Sequence, residues 1–129
     1  MARSILLDSS IAIPHLRGRF NILSHISAAD LLFISLIVLG ELYKGVFKAP
    51  RPDESRRKLD AFLTNVSVLG LDSATSIQYA RLASVLERQG TLIPENDIWI
   101  AATALECDMP LVTRDAHFGQ VPGLQVLRW

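Results

Sequence analysis

Residues 4–10 read SILLDSS. A short apolar run closed by a polar cluster suits a strand buried on both faces, as in a parallel sheet. The aspartate at its end, Asp8, either caps a following helix or offers oxygen to a metal ion. Ser9 or Ser10 then serves as N-cap for the helix IAIPHLRG, with Gly18 as its stop. Pro14 is tolerated only in the first turn or as a kink. The stretch alone leaves both cap and ligand open for Asp8, and the rest of the chain decides.

Working outward, the same alternation recurs. NILSHISAAD is weakly helical, LLFIS is a second strand, and Ser35 caps the apolar helix LIVLGELYKGVFK. APRP punctuates, and DESRRKLDAFLTN follows as a helix with Asp53 at its positive end. VSVLGL is a third strand. From Asp72 an amphipathic helix places Ile77, Tyr79, Leu82 and Leu86 at helical spacing until Gly90 ends it. TLIPEN is a loop, and DIWIAATALEC, apolar on nearly every side, is a buried helix opened by Asp97. MPLVT and LQVL are the last strands. Short strands alternating with helices predict a single α/β domain over residues 1–129: a three-layer α/β/α arrangement around a mainly parallel sheet of about five strands.

Thirteen basic residues balance thirteen acidic ones, so the chain lacks the positive excess that marks many nucleic-acid binders. A polyanionic partner must be held by a local patch or by bound cations. The single cysteine, Cys107, forms no intramolecular disulfide and is expected to be a buried, inert thiol, with a reducing cytoplasm as compartment. Asp8 comes too soon for a signal-peptide apolar region. The longest apolar run, around LLFISLIVLG, falls short of the ~20 residues that span a bilayer, so the expectation is a cytoplasmic protein without membrane attachment.

Ligands of open α/β sheets bind outside the carboxyl ends of the strands. Asp8 lies past the first strand, and Asp115 past PLVT, behind Thr113. Glu41 sits in the second turn of the helix after LLFIS, and Asp97 opens the apolar helix. Each has a plainer reading: Asp8 and Asp97 as caps, Asp115 as a turn residue, Glu41 on an exposed stripe beside Lys44. Together, four carboxylates on one rim repel one another and lose hydration, a cost that a divalent cation offsets. All-oxygen donors point to Mg²⁺ or Mn²⁺. His15, His25 and His117 are scattered, which assigns them surface or packing roles rather than a zinc site.

At these positions the sequence resembles the PIN-domain family of metal-dependent ribonucleases, and within it the VapC-type toxins of bacterial toxin–antitoxin modules. The stretches LLDSSIAI, ISLIVLGELYKGV, IPENDIWIAATAL and LVTRDAHFGQVPGLQV carry the likeness over nearly the whole chain. The resemblance implies that Asp8, Glu41, Asp97 and Asp115 are catalytic, with Asp8, Asp97 and Asp115 on the metal and Glu41 positioning or deprotonating the attacking water. Thr113 matches a hydroxyl before the last acid and Ser9 a small hydroxyl after the first. Ser10 stands where many members carry Asn. The implied reaction is endonucleolytic cleavage of RNA leaving a 5′-phosphate, with Arg114 near substrate. A small antitoxin whose tail covers the acids, and a homodimer, are implied as well. FKAPRPDESRRK either grips RNA phosphates or is a solvated helix face.

Rival readings differ in what they need. A haloacid-dehalogenase-type phosphatase requires a second Asp where Ser10 stands, and a receiver domain does not ask for Glu41 or Asp97. A PIN-like RNA-binding or scaffold module, or a housekeeping RNA-processing nuclease, shares the pattern and is separated by a cleavage assay.

Overall fold

The central strand, β1 (Ser4–Leu7), has Ile5, Leu6 and Leu7 wholly buried in the computed structural model, which describes residues 2–129. β2 (Leu31–Ser35) pairs along one edge of β1, from Ser4↔Leu31 to Leu6↔Phe33. β4 (Leu111–Val112) pairs along the other, at Leu6↔Leu111 and Leu7↔Val112. β3 (Val66–Leu69) extends the sheet beyond β2, and β5 (Val126–Leu127) beyond β4. The order is β3-β2-β1-β4-β5 and every pairing is parallel. The sheet is thus wholly parallel, where the sequence pattern asks for mainly so.

Parallel neighbours need long crossovers, and helices supply them. These are α1 (Ser9–Leu16), α2 (Leu36–Lys48), α3 (Pro52–Leu63), α4 (Ser73–Gln89) and α5 (Glu95–Cys107), which complete the expected three-layer arrangement. The chain runs from β1 outward through β2 to β3, then returns to add β4 and β5 on the other side. The strand order therefore reverses between β1 and β4, and such a switch point opens a crevice at the strands' carboxyl ends. Asp8 and the segment 113–115 follow the two strands that flank it. Asp8 N donates to Val112 O at 3.0 Å, tying the two ends together.

Several helix limits follow the expected signals. Ser35, fully buried, accepts from Val38 N to start α2. Asp72 accepts from Thr75 N to start α4, and Gly90 closes it in the left-handed region at φ 69°. Others depart. Asp8 occupies the N-cap position of α1, not Ser9 or Ser10, and its carboxylate makes no capping bond because it is engaged elsewhere. Pro14 lies inside α1 and not in its first turn. Residues 21–30 hold only a 3-10 turn, Ile22–His25, capped by Asn21. The last two strands are two residues each, and β4 starts directly after Pro110, which has no N–H to lend to the ladder.

α5 begins two residues before Asp97, because Pro94 supplies a preset φ of −54° at the N-cap. Ala101, Ala102 and Ala104 are buried along it and let the helix backbone approach its neighbours. It ends at Asp108, whose φ of 52° is left-handed, the one such non-glycine among the described residues. A Cβ is disfavoured there, and a negative charge opposes the helix dipole. Asp108→Gly is expected to stabilise the protein by about 0.5–1 kcal/mol, read as a higher urea midpoint at unchanged slope. Cys107 is exposed, against the expected buried thiol, because it falls on the last, outward-facing residue of α5. Among the described residues no helix is long and apolar enough to cross a membrane.

Candidate functional site

Asp8 is 3% exposed, so its carboxylate must find partners inside the protein. Ser10 Oγ and Thr113 Oγ1 each donate to Asp8 Oδ2, both at 2.7 Å. The same hydroxyl oxygens accept backbone N–H groups: Ser10 Oγ from Arg114 at 2.9 Å, and Thr113 Oγ1 from Asp115 at 3.0 Å. Both hydroxyl protons are thereby committed to Asp8, and the 3.2 Å approach of the two oxygens is a contact rather than a further bond. The start of α1 and the end of β4 are thus sewn together through one carboxylate oxygen. Ser10, shorter than the Asn of the resembled pattern, keeps a bond to the acid. Thr113→Val preserves shape but leaves Asp8 and the Asp115 N–H each short of a partner. It is expected to destabilise by about 1–3 kcal/mol, measured by urea unfolding, with Ser10→Ala milder because Ser10 is less buried.

Asp97, third residue of α5, makes no capping bond, and its side chain is 15% exposed. Asp115 caps the 3-10 turn Ala116–Gln120 by accepting from His117 N at 2.9 Å. Its turn role and its place on the rim therefore coexist. The turn brings His117 Nδ1 within 2.9 Å of Asp115 Oδ1 and 3.5 Å of Asp97 Oδ2. One donor atom from each of these three residues lies within 4.8 Å of the others. Scattered placement does not describe His117, although it does describe His15 and His25. The available signal was local: an Asp opening a turn bonds the backbone two residues on, which folds residue 117 back onto residue 115.

Glu41 is half-buried on α2 and makes no ion pair with Lys44, so the exposed-stripe reading fails. Its Oε1 is buried without a hydrogen-bond partner, as is His117 Nδ1. Burial raises the Glu41 pKa, the negative charge of Asp8 adds to this, and that of Asp97 less so, while the nearby Ser9 and Asn96 side chains oppose it. Asp97 is likewise raised, first by burial, then by Asp8 and Asp115, with His117 opposing. The four predicted acids therefore share one electrostatic neighbourhood. Asp97 and Asp115 meet closely, Asp8 acts on Asp97 through charge, and Asp8 and Asp97 act likewise on Glu41. Buried, unpartnered oxygen and nitrogen donors among like-charged carboxylates fit a divalent cation.

Arg114 is exposed beside Asp115, its guanidinium 4.4 Å from the centre of the Phe20 ring. Phe20 stacks on His25 and His25 on Trp129, each at 5.1 Å, so the cation tops an aromatic column at the rim. The basic stretch on α3 is partly self-neutralised: Arg51 and Lys58 flank Glu54 at 3.7 Å, and Arg56 pairs with Asp60 at 3.2 Å. This favours a solvated helix face there over an RNA grip.

A family model described as PIN domain matches residues 5–124. Ribonuclease VapC2 of Rickettsia felis is 30% identical, and Ribonuclease VapC1 of Haemophilus influenzae strain R2866 is 31% identical, each over 96% of both chains. Among solved structures, VapBC2 from Rickettsia felis, bound to a DNA fragment from their promoter, superposes with a TM-score of 0.90 at 28% identity. VapBC-1 from nontypeable Haemophilus influenzae gives 0.87 at 30% identity, and both cover 98% of each chain.

Proposed function

The chain belongs to the PIN domain family, and from that premise we propose that it is a Mg²⁺- or Mn²⁺-dependent endoribonuclease, the toxin of a toxin–antitoxin pair acting in the cytoplasm. The observation that carries the reading is the set of carboxylates gathered at the β1–β4 switch point, with the buried Glu41 Oε1 left unpartnered beside it. The ribonuclease names of its relatives support RNA as substrate. The likeness to VapBC2 and VapBC-1 supports a small cognate antitoxin. In the same reading residues 1–129 form one PIN-like domain that works as a homodimer.

In this reading Asp8, Asp97 and Asp115 hold the cation. When bound, it lowers the pKa of a water and neutralises charge on the phosphodiester. Glu41, whose proton affinity burial has raised, accepts the proton as the water oxygen bonds to phosphorus. The P–O3′ bond breaks, leaving a 5′-phosphate on one product and a 3′-hydroxyl, protonated from solvent, on the other. Ser10 and Thr113 fix the Asp8 carboxylate from behind, Ser9 lies near Glu41 and lowers its proton affinity, and Arg114 meets a neighbouring phosphate.

The test is cleavage of labelled single-stranded RNA by the purified chain. Cleavage with Mn²⁺ or Mg²⁺, none with EDTA, and 5′-phosphate ends are expected. Activity that persists in EDTA, or cyclic-phosphate ends, overturns the metal mechanism. Absence of cleavage with metal bound favours a scaffold.

A further inference from the structure

Three features of His117 go beyond an all-carboxylate site. Its Nδ1 is buried and has no hydrogen-bond partner, although the ring is half-exposed. That atom faces two carboxylate oxygens, at 2.9 Å on Asp115 and 3.5 Å on Asp97. The ring is also held through its main chain: the backbone N–H of His117 donates to Asp115 Oδ1, and the next residue, Phe118, is fully buried. A proton on Nδ1 bridging to Asp115 would give an aligned hydrogen bond, and the contact lacks that alignment. Adjacent ligands of an octahedral ion, at about 2.1 Å from it, stand about 3.0 Å apart. The Nδ1 and Asp115 oxygen are already at that spacing.

We propose that His117 Nδ1 is a direct metal ligand beside Asp97 and Asp115, giving the site one nitrogen donor and a preference for a first-row transition ion such as Mn²⁺ over Mg²⁺. The proposal rests on the metal-binding reading above. Mg²⁺ takes oxygen donors, whereas imidazole suits transition ions better, so one nitrogen shifts the balance without closing the site to Mg²⁺. The alternative role is a cation of the protein's own: a protonated His117 that neutralises Asp97 and Asp115 and competes with metal. The two roles predict opposite effects of removing the ring.

The experiment titrates Mn²⁺ alone, without RNA, into the full chain and follows it by electron paramagnetic resonance, with Mg²⁺ affinity taken by competition. Wild type should show ¹⁴N modulation in the pulsed spectrum, converted to a ¹⁵N pattern when the protein is made with ¹⁵N-histidine. His117→Ala should lose that modulation and bind Mn²⁺ at least about tenfold more weakly, with a smaller loss for Mg²⁺. Mn²⁺ bound by wild type without histidine modulation overturns this proposal and leaves the metal reading standing. Tighter Mn²⁺ binding by His117→Ala does the same, and assigns the ring the role of competing cation. Wild type that binds no Mn²⁺ overturns both. The wild-type spectrum decides the matter even if the variant misfolds.

Discussion

Asp97→Asn is expected to lower the rate of RNA cleavage by about three orders of magnitude. Electrostatic stabilisation by a bound divalent ion is worth several kcal/mol, and about 4 kcal/mol corresponds to ~10³ in rate. The variant keeps shape and hydrogen-bonding capacity while removing the charge that stands closest to Asp115 and His117. Glu41→Gln is expected to lose ~10²–10⁴, the range for a positioned general base, with Mn²⁺ affinity little changed. Ser10→Ala acts at one remove, through its bonds to Asp8 and to the Arg114 backbone N–H, and should cost less, about tenfold. Single-turnover cleavage and Mn²⁺ titration on the same preparations separate these roles. If Asp97→Asn cleaves within tenfold of wild type, Asp97 is not a ligand. If Glu41→Gln loses metal binding together with rate, Glu41 belongs to the ligand set and not to proton transfer.

What was legible in the sequence was whatever physics acts locally. Ile5, Leu6 and Leu7 announce a strand that only a two-sided sheet can bury, and Ser35, Asp72 and Gly90 mark helix ends through bonds within a turn. The four acids stood out because each falls where a strand or helix meets the rim. Less legible was what depends on partners far along the chain. Ser10 read as a cap, yet its hydroxyl serves Asp8 jointly with Thr113, 103 residues away from it. Asp97 read as the opening of a helix because nothing in the pattern weighs Pro94 as the earlier start. His117 read as scattered because spacing along the chain says nothing of the turn that Asp115 caps. Cys107 read as buried from its apolar neighbours, whereas the last turn of α5 faces it outward. These misses lie mostly at or beside the candidate site, where local preference gives way to long-range assembly.

Without metal, the same acids should weaken the fold, and the effect has a definite sign. Asp97 is raised from its ordinary value by burial first and by Asp8 and Asp115 next. A group whose folded pKa lies above its unfolded value contributes stability fully below the unfolded value, near ~4 for Asp. That contribution is lost as pH climbs through the folded pKa. Metal-free wild type should therefore lose stability between about pH 4 and neutrality, and Glu41, raised for the same first reason, adds to the loss. Asp97→Asn cannot ionise and escapes its share, so at neutral pH the metal-free variant should melt above metal-free wild type. At pH 4 the gap should close. Mn²⁺ at about 100 times its Kd should then stabilise wild type by about 2.7 kcal/mol, or about 10 °C for a domain of this length. The variant, with a ligand removed, should gain much less, so the two melting temperatures exchange order. Thermal melts of both proteins at two pH values, with EDTA and with Mn²⁺, read all of this directly. A metal-free variant that melts lower at neutral pH would mean that the Asp97 charge stabilises α5 through the helix dipole by more than its neighbours repel it. Asp97 would then be a structural residue of that helix first.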